Sequence, residues 1–591
     1  MGLEYVFVHL KYTIPPAVAL TLLYRPLLTK MDIYKLGFLI SVAVISTLPW
    51  DSYLIRKNIW SYPSHVIVGQ TFFKIPVEEI FFFIVQTYNT SLFYLILSKP
   101  TYQPVLLTAV RGDGHPNGVL NPEWRNYRVA GQLVLVGIIG WGWCMVLSAG
   151  RATYAGLIII WAVPFLVFLW TLAYQFIISL PLSNTLAPIM LPTVYLWMVD
   201  TLALQRGTWV INPGTKMGVH LWDGLEIEEA LFFLLTNVVI VFGQIAFDSA
   251  LSILSAFPDL FPDSPPLPSP AFLMRASLMP ASRFDENQIA GLREAVQRLE
   301  KKSRSFYVAS SAFQSQIRTD LILLYSFCRV ADDLVDDARN PTEARTWIAR
   351  LQEFLERAYD GNSEQAATSN FIRTTFPKET QAALIQVPIK KLSRQPLEDL
   401  LRGFEMDMCF CQDKDGPILV ESDLDIYAHR VAGTVANMCL ELILYDYDTH
   451  VKGEDRQRII EAGDRMGVAL QCVNIARDIA VDASMGRVYI PRSWLKKEGL
   501  SASSILHNPH RPVVEKLRSQ LLKKAFALHK GAKDAIEELP VEARGPRRVA
   551  VESYMEIGRV LRREGYVVKA GRATVPKLRR LRVAWKSLRS Q

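Results

Sequence analysis

Two pairs of adjacent glutamates stand in stretches that are otherwise apolar. The segment PVEEIFFFIVQT (76–87) contains Glu78 and Glu79, and EIEEALFFLLTN (226–237) contains Glu228 and Glu229. An ionised carboxylate inside a bilayer costs about 3 kcal/mol or more, so acids in such segments usually serve a function. Carboxyl groups crowded in a desolvated site do not all ionise. One that keeps its proton can act as a general acid beside a neighbour that accepts a proton.

The glutamate pairs belong to an internal repeat. Each pair is preceded by an aspartate and by a tryptophan nine positions after it: Asp51 and Trp60 in the first copy, Asp200 and Trp209 in the second. The copies lie four apolar segments apart and so cross a membrane in the same direction, as parallel repeats do. Packing about a pseudo-two-fold axis would gather all six carboxylates near one membrane face. A single pair could instead cap a helix at the interface, but the second copy in register favours catalysis, in two sites or in one site used twice.

The elements that carry these acids are predicted to be membrane-spanning helices. Seven apolar runs are long enough to cross a hydrocarbon core: 5–24, 34–50, 76–98, 129–149, 153–175, 185–204 and 227–247. An odd number of spans puts the two ends of the chain on opposite sides. A slight excess of Lys and Arg in the loops on the C-terminal side predicts that this side is cytosolic. Residues 1–250 are therefore predicted to form a seven-helix transmembrane domain.

A second set of oxygen-bearing side chains occupies YSFCRVADDLVDD (325–337) and QCVNIARDIAVDASMGRVYIP (471–491). They recur every four residues, which places them on one face of each helix: Asp332 and Asp336, then Asn474, Asp478 and Asp482. Two such faces suit a hard cation such as Mg²⁺, which binds few protein carboxylates and completes its shell with phosphate oxygens. Arginines stand where a diphosphate needs neutralising, at Arg329, Arg477 and Arg487. For the first motif alone, a solvated acidic face is the alternative.

The composition separates the two halves of the chain. The net charge is +8 and half of the residues are apolar, yet 285–591 has the composition of a charged soluble domain with helical periodicity and no convincing strand.

The stretch 251–284 is predicted to be a linker, because FPDLFPDSPPLPSPAFLMRASLMPASRF (257–284) is too rich in proline for a helix. Six scattered cysteines favour a reducing compartment for the C-terminal half. The basic C-terminal cluster lacks a nucleic-acid motif, so anionic small molecules or anionic lipid are the expected partners.

The C-terminal half resembles the squalene and phytoene synthase family over about 300 residues. The motifs that carry the resemblance are SRSF (303–306), YSFCRVADDLVD (325–336), PLEDLLRGFEMD (396–407), YAHRVAGTVA (427–436), NIARDIAVD (474–482) and GRVYIP (486–491). The resemblance implies an all-α isoprenoid synthase fold and a Mg²⁺ or Mn²⁺ cluster on the residues of the two acidic motifs. It implies further that the diphosphates are held by Ser303, Ser305, Arg329, Arg477 and Arg572. Tyr325 and Arg487, which belong to the two acidic motifs, are also predicted to bind substrate. The reaction centre would be lined by Gln471, Tyr554 and a catalytic Tyr427.

The N-terminal half resembles the small integral-membrane lycopene cyclases. Their P-x-E-E-x-x-F-F pattern stands at 76–83, and the second copy has Glu226 in place of the proline. The order of cyclase, proline-rich linker and synthase is similar to that of the fungal bifunctional lycopene cyclase/phytoene synthases. The resemblance implies that the two glutamate pairs, with Asp51 and Asp200, protonate and deprotonate a carotene.

Together the resemblances predict an enzyme of carotenoid biosynthesis with two activities. Two geranylgeranyl diphosphates would condense head to head, through prephytoene diphosphate, to phytoene. The ends of lycopene would close to β-rings, giving γ- or β-carotene, without a flavin or nicotinamide, since GDGHPNG (112–118) lacks the spacing of a dinucleotide fingerprint. The expected partners are geranylgeranyl diphosphate, lycopene and other acyclic carotenes, membrane lipid and other carotenoid enzymes, but not nucleic acid. The expected location is an internal membrane such as the endoplasmic reticulum, with the synthase domain in the cytosol.

The alternative is a squalene-synthase-like C30 enzyme fused to a seven-span transporter or receptor. Retinal attachment would need a lysine in the last span, and residues 217–247 contain none. A proton-coupled transporter fits the membrane features by themselves, but fusion to an isoprenoid synthase argues against it. A prenyl-diphosphate carrier is the non-enzymatic alternative for the second half.

Overall fold

A computed structural model describes residues 2–107, 122–280, 283–313, 315–360, 365–411, 416–447, 453–563 and 575–589. The chain divides into two compact units, Met1–Ile289 and Ala290–Gln591. Helices dominate both units, which confirms the predicted all-α class. The predicted domain bounds, 1–250 and 285–591 with a linker at 251–284, stay predictions.

Within its described residues, the first unit contains seven helices that are long and apolar enough to cross a membrane. They are α1 (Glu4–Leu27), α2 (Lys30–Arg56), α3 (Val77–Ser98), α4 (Pro122–Leu147), α5 (Thr153–Ser179), α6 (Leu182–Gln205) and α7 (Ile227–Ala256). Their number agrees with the prediction, although several helices extend beyond the apolar runs. α2, for example, begins four residues before its run, because Thr29 and Asp32 form a capping box that starts the helix among charged residues.

Small antiparallel ladders join the two repeat copies and shape the entry to the glutamates. β1 (Trp60–Ser61) pairs with β4 (Val210–Ile211), so the loops of the two copies meet directly. Before α3, β2 (Thr71–Phe72) and β3 (Ile75–Pro76) form a hairpin, and before α7, β5 (His220–Trp222) and β6 (Leu225–Glu226) form the equivalent one. Each helix begins at the residue that directly follows its hairpin. Both glutamate pairs therefore lie in the first turn of a helix.

Polar side chains hold α3 and α7 together along their buried faces. The Gln86 amide donates to Thr236 at 3.0 Å, and the Thr90 hydroxyl donates to Asn237 at 2.8 Å. The Asn237 amide in turn donates to Thr193 of α6 at 2.9 Å. Such interhelical hydrogen bonds stabilise membrane bundles, where apolar contacts with lipid and with protein are nearly equivalent.

The prediction that 257–284 is too rich in proline for a helix is wrong. Residues Pro270–Ser277 form a short helix, α8. Its proline is the first residue, where no intrahelical N–H is needed, and the Ser269 side chain caps it by accepting from the Phe272 N–H at 3.3 Å. The remaining residues of α8 contain no proline, so the helix proceeds for two turns.

The described part of the second unit is helical and contains no strand. Its helices are α9 (Glu286–Lys302), α10 (Arg304–Ser310), α11 (Ser315–Asp336), α12 (Pro341–Tyr359), α13 (Gln365–Thr375), α14 (Lys378–Gln386), α15 (Arg394–Met408), α16 (Glu421–Ala428), α17 (Thr434–Asp446), α18 (Glu454–Ser484), α19 (Arg492–Lys497), α20 (Ala502–His507), α21 (Pro512–Ala532), α22 (Val541–Leu561) and α23 (Lys577–Arg589). α18 is central and packs on α17, α21 and α22. Gly467 lets α18 pack closely on the π-helical turn His429–Gly433 that leads into α17, because a Cβ there would lie 2.5 Å from the Ala432 carbonyl oxygen.

An ion-pair group joins α21 to α22. The Glu552 carboxylate bonds to His529 Nε2 at 3.0 Å and to the Arg559 guanidinium. Burial disfavours ionisation of Glu552, but the hydrogen bonds from His529 and Arg559 outweigh it and hold its pKa at about 2. The group therefore adds stability wherever Glu552 is ionised.

Candidate active sites

The first candidate site lies in the N-terminal unit, where Glu79 receives two tyrosine hydroxyls. Tyr62 donates to Glu79 Oε2 at 2.7 Å, and Tyr5, at the start of α1, donates to the same oxygen. The Tyr5 and Glu79 side chains are buried and Tyr62 is half-buried, and the Tyr5 ring packs on that of Tyr62 at 6.1 Å. Two donors on one carboxylate oxygen favour the ionised form of the acid.

Glu229 in the second copy has a similar but smaller set of partners. Tyr154, at the start of α5, donates to Glu229 Oε1 at 2.8 Å. The other oxygen, Oε2, is buried and has no hydrogen-bond partner among the described residues. Ile211 occupies the position that matches Tyr62 in the repeat, so the second copy lacks the second donor. The two copies are therefore related in position but unequal in chemistry.

Glu78 and Glu228 have a different role in the structure. Glu78 Oε1 accepts the backbone N–H of Val68 at 2.7 Å, and Glu228 Oε1 accepts that of Met217 at 2.6 Å. Each therefore ties the loop that precedes its hairpin to the first turn of the helix. These glutamates position the backbone around the site, whereas Glu79 and Glu229 present their carboxyl groups to side chains.

The structure brings both aspartates of the repeat to the same place. Asp51 is in electrostatic range of Glu79 and Glu229, and so is Asp200. Both are almost fully buried, and none of their carboxyl oxygens has a hydrogen-bond partner among the described residues. The four acids and the other glutamate of each pair, whose second oxygen is also buried and unpartnered among the described residues, thus form one cluster. Its free oxygens are available to a proton, a water molecule or a substrate.

Aromatic rings line the apolar side of the cluster. Phe82 of the first copy and Phe233 of the second are 6.0 Å apart in an edge-to-face arrangement. Phe232 stacks on Trp50 at 5.6 Å, and Trp50 stacks on Trp161 at 4.7 Å. Ring faces stabilise a nearby cation, so this lining fits a carbocation.

Sequence reasoning missed the tyrosines and His9. His9 lies in a π-helical turn, His9–Thr13, just ahead of two prolines that disturb the helical ladder. Its Nε2 is 3.0 Å from the Glu78 carbonyl oxygen. A signal for the tyrosines existed, since Tyr5 and Tyr154 are 149 residues apart and the glutamates to which they donate are 150 apart.

The second candidate site lies in the C-terminal unit, on α11 and α18. Arg329 Nη1 donates to Asp332 at 2.8 Å and its other amino group donates to Asp333. Arg487, just after α18, donates to Asp336 at 2.7 Å and so connects the two acidic motifs. The predicted motifs are therefore brought together, with arginines between their carboxylates.

The α18 motif is organised in the same way. Arg477 Nε donates to Asp478 at 2.8 Å. Asn474 accepts the hydroxyl of Tyr554 from α22 and donates to Gln471 at 3.2 Å. Asn474, which the resemblance assigned to the metal cluster, thus lies in one hydrogen-bonded group with Gln471 and Tyr554, which it assigned to the reaction centre.

Asp407 connects the motifs and was not assigned from the sequence. Its carboxylate accepts hydrogen bonds from Tyr489 at 2.8 Å and from Tyr427 at 3.2 Å, whose rings stack at 4.9 Å. Burial raises the pKa of Asp407 to about 6, although Arg487 opposes the rise. Tyr427 is held at both its hydroxyl and its ring, which fixes its orientation.

The remaining predicted residues fall into two groups. Ser303 and Ser305 lie at the start of α10, whose Phe306 stacks on Tyr554 at 5.4 Å and contacts Tyr325 at 6.3 Å. Arg572 and the GDGHPNG segment lie outside the described residues.

The donor set fits a divalent cation that needs few protein ligands. Within the described residues, no three His, Cys, Asp or Glu side chains converge closely enough to form a metal site by themselves. Burial and the nearby Asp336 raise the pKa of Asp332 to about 7, and burial and Asp478 raise that of Asp482 to about 8. The neighbouring arginines therefore do not supply enough positive charge to neutralise these carboxylates. A cation that takes one or two carboxylates and completes its shell with water and diphosphate would supply it.

Known proteins resemble the chain in both units. A family model described as Squalene/phytoene synthase matches residues 299–579. Three bifunctional lycopene cyclase/phytoene synthases are similar to the whole chain. The chain is 60% identical to that of Leptosphaeria maculans over 588 residues, 59% identical to that of Pyrenophora tritici-repentis over 592 residues and 56% identical to that of Phaeosphaeria nodorum over 588 residues. The alignments cover 100% of this chain and 100%, 100% and 99% of those proteins. The chain therefore belongs to the family of bifunctional lycopene cyclase/phytoene synthases.

Proposed function

We propose that the chain makes phytoene in its C-terminal unit and closes the ends of lycopene to β-rings in its N-terminal unit. Full-length similarity to bifunctional lycopene cyclase/phytoene synthases supports both activities. The observation that carries the cyclase assignment is the single buried cluster of Glu79, Glu229, Asp51 and Asp200. Such a cluster suits proton transfer to and from a hydrocarbon that offers no polar group of its own.

In the cyclase, Glu229 is the proton donor and Glu79 the acceptor. Glu229 has one tyrosine partner and a buried free oxygen, which suits the neutral acid, whereas two tyrosines favour the ionised form of Glu79. Glu229 protonates a terminal double bond of lycopene. The resulting carbocation is attacked by the next double bond and a six-membered ring forms. Glu79 then removes a ring proton, so the product is an isomer of the substrate.

The aromatic lining and the aspartates serve the same reaction. Phe82, Phe232 and Phe233 present ring surfaces to the intermediate cation and keep water from it. Asp51 and Asp200 lie beside both glutamates and return the proton from the acceptor to the donor between cycles.

In the synthase, Asp332, Asp336, Asn474, Asp478 and Asp482 would hold Mg²⁺ or Mn²⁺. When bound, the metal would neutralise the diphosphate of geranylgeranyl diphosphate and make it a better leaving group. The arginines that now bond to these aspartates, Arg329, Arg477 and Arg487, would turn to the diphosphate oxygens. Ser303, Ser305, Tyr325, Gln471, Tyr554 and Arg572 complete the substrate site.

Tyr427 and its partners act at the reacting carbons. Asp407 orients the Tyr427 hydroxyl, and the stacked Tyr489 fixes its ring. The tyrosine rings would steer the cyclopropylcarbinyl cation of prephytoene diphosphate, and loss of a proton would then give phytoene.

We further propose a multi-pass protein of an internal membrane, with the domains at 1–250 and 285–591 and the synthase facing the cytosol. Seven apolar helices support the membrane assignment. Its partners are geranylgeranyl diphosphate, lycopene and other acyclic carotenes, membrane lipid and neighbouring carotenoid enzymes.

The synthase assignment is tested with the purified full chain, geranylgeranyl diphosphate and Mg²⁺. Phytoene is expected without NADPH, because loss of a proton ends the reaction and no reductant is required. A product that appears only with farnesyl diphosphate and NADPH would show a squalene-type enzyme instead.

The cyclase assignment is tested by expressing the full chain in a lycopene-accumulating bacterium. The red lycopene is expected to give way to yellow-orange cyclic carotenes. A chain with Glu79→Gln and Glu229→Gln together is the matched control and is expected to leave the cells red. Unchanged red with the native chain, present in the membrane and active as a synthase, would rule out the cyclase.

A further inference from the structure

The last helix, α23 (Lys577–Arg589), has a face that neither activity uses. Its sequence KLRRLRVAWKSLR contains six Lys or Arg residues and no acidic residue. The synthase family model ends its match at residue 579, so most of this helix lies beyond the matched region. The helix therefore adds a strongly basic element to the synthase unit.

One side of α23 docks onto the unit. Arg579 forms an ion pair with Glu556 of α22, and Ala584 and Leu588 are buried. Arg548 of α22 donates to the Ser587 carbonyl oxygen at 3.5 Å. These contacts fix the helix and determine which side faces outward.

The outward side combines apolar and basic side chains. Leu578 is 82% exposed and Leu581 is 49% exposed, so two large apolar side chains one helical turn apart face outward. Arg582, Lys586 and Arg589 are exposed, and they follow the leucines at spacings of three and four, on one helical stripe. The Arg589 guanidinium lies 5.0 Å from the centre of the Trp585 ring.

We propose that this face of α23 binds the anionic surface of the bilayer in which the first unit is embedded. The leucines would enter the boundary between headgroups and acyl chains, the tryptophan would lie at that boundary, and the cations would bind lipid phosphates. The first unit tethers the helix to a bilayer, so the effective lipid concentration is high. The inference rests on the membrane assignment proposed above.

Hydrogen–deuterium exchange of the full chain in nanodiscs tests the inference. Discs of zwitterionic phosphatidylcholine are compared with discs that also contain phosphatidylserine, with one chain per disc. Binding suppresses local opening of the helix, so exchange of residues 577–589 is expected to slow about fivefold for each cation engaged in the anionic discs. Raised salt is expected to remove most of this protection.

Two double variants separate lipid binding from packing. Arg582→Glu with Arg589→Glu, and Leu578→Gln with Leu581→Gln, are each expected to abolish the protection while the fold remains. Lys523→Glu with Lys530→Glu on α21 is the matched control, because that helix exposes cations but no large apolar side chain among its described residues.

Equal exchange of α23 in both kinds of disc would overturn the inference. Protection that persists at high salt, or that survives both double variants, would do the same, since it would indicate a protein surface as the partner. Protection of α1–α7 in the same spectra reports membrane insertion separately. Failure of the membrane assignment is therefore distinguishable from failure of the inference.

Discussion

The two glutamates of the first repeat copy are predicted to differ sharply when each is changed to glutamine in the full chain. The substitution keeps the size of the side chain and an acceptor oxygen. In Glu79→Gln the amide oxygen would still accept from Tyr5 and Tyr62, and in Glu78→Gln it would still accept from the Val68 backbone. Both variants are therefore expected to fold, and what each loses is the ability to carry a proton.

The expected magnitudes follow from the contacts. A positioned general acid or base contributes about 10²–10⁴ in rate, so Glu79→Gln is expected to lower the rate of cyclisation by that factor. Glu78→Gln keeps an acceptor for the Val68 N–H but replaces the carboxyl oxygen with an amide oxygen. This change costs about 1 kcal/mol of local stability, and the rate is expected to stay within about fivefold of the native chain. Glu229→Gln is expected to match Glu79→Gln.

The assay measures initial rates of cyclic carotene formation in membranes supplied with lycopene, separated by chromatography. Phytoene formation by the same chain serves as the internal standard, because it depends on the C-terminal unit and not on the cyclase. Cyclisation rates are therefore divided by phytoene synthase rates from the same preparation. The assignment is refuted if Glu78→Gln loses as much cyclisation as Glu79→Gln while phytoene formation is unchanged.

Three further predictions concern the remaining parts of the chain. Asp332→Asn is expected to lower phytoene formation at least about 100-fold while cyclisation remains, whereas Asp337→Asn, its exposed neighbour, is expected to have little effect, as measured by product chromatography. Asn237→Leu removes two interhelical hydrogen bonds and is expected to destabilise the N-terminal unit by about 1 kcal/mol in a thermal unfolding assay in detergent. Because the folded-state pKa of Glu552 is depressed to about 2, its stabilising contribution is present at neutral pH and is lost as pH falls from about 4.5 to about 2. Glu552→Gln should therefore weaken the acid dependence of synthase-unit unfolding; an unchanged acid transition would contradict this.

The sequence predicted the acids of the membrane unit because they are repeated in it. Glu78, Glu79 and their counterparts stand out as charges in apolar segments, and two copies in one orientation imply a common face. Tyrosine is ordinary in a membrane helix, so Tyr5 and Tyr154 attract no attention until the repeat is extended to the start of each copy. Tyr62 has no repeat partner at all, and only the folded loop places it against Glu79.

In the synthase unit, helical spacing was sufficient for the two acidic motifs. Asp332 and Asp336, four residues apart, necessarily share a face of α11. Asp407 and Tyr489 could not be identified in this way, because neither has a partner at helical spacing. Their contact depends on how α15 packs near the segment that follows α18, and a single sequence carries little information about such packing.

The unequal copies argue for one site used twice rather than two sites. A complete cyclisation requires both a donor and an acceptor, and in the proposed mechanism each copy supplies one of them: Glu229 with its free oxygen, and Glu79 with two tyrosines. In the proposed mechanism, the proton is on Glu79 after one ring has closed and must return to Glu229. Asp51 and Asp200 are in range of both glutamates and have free oxygens for that return. The second end of the carotene must then enter the same cluster, so an intermediate with one ring is expected to leave the site or turn around before the second ring forms.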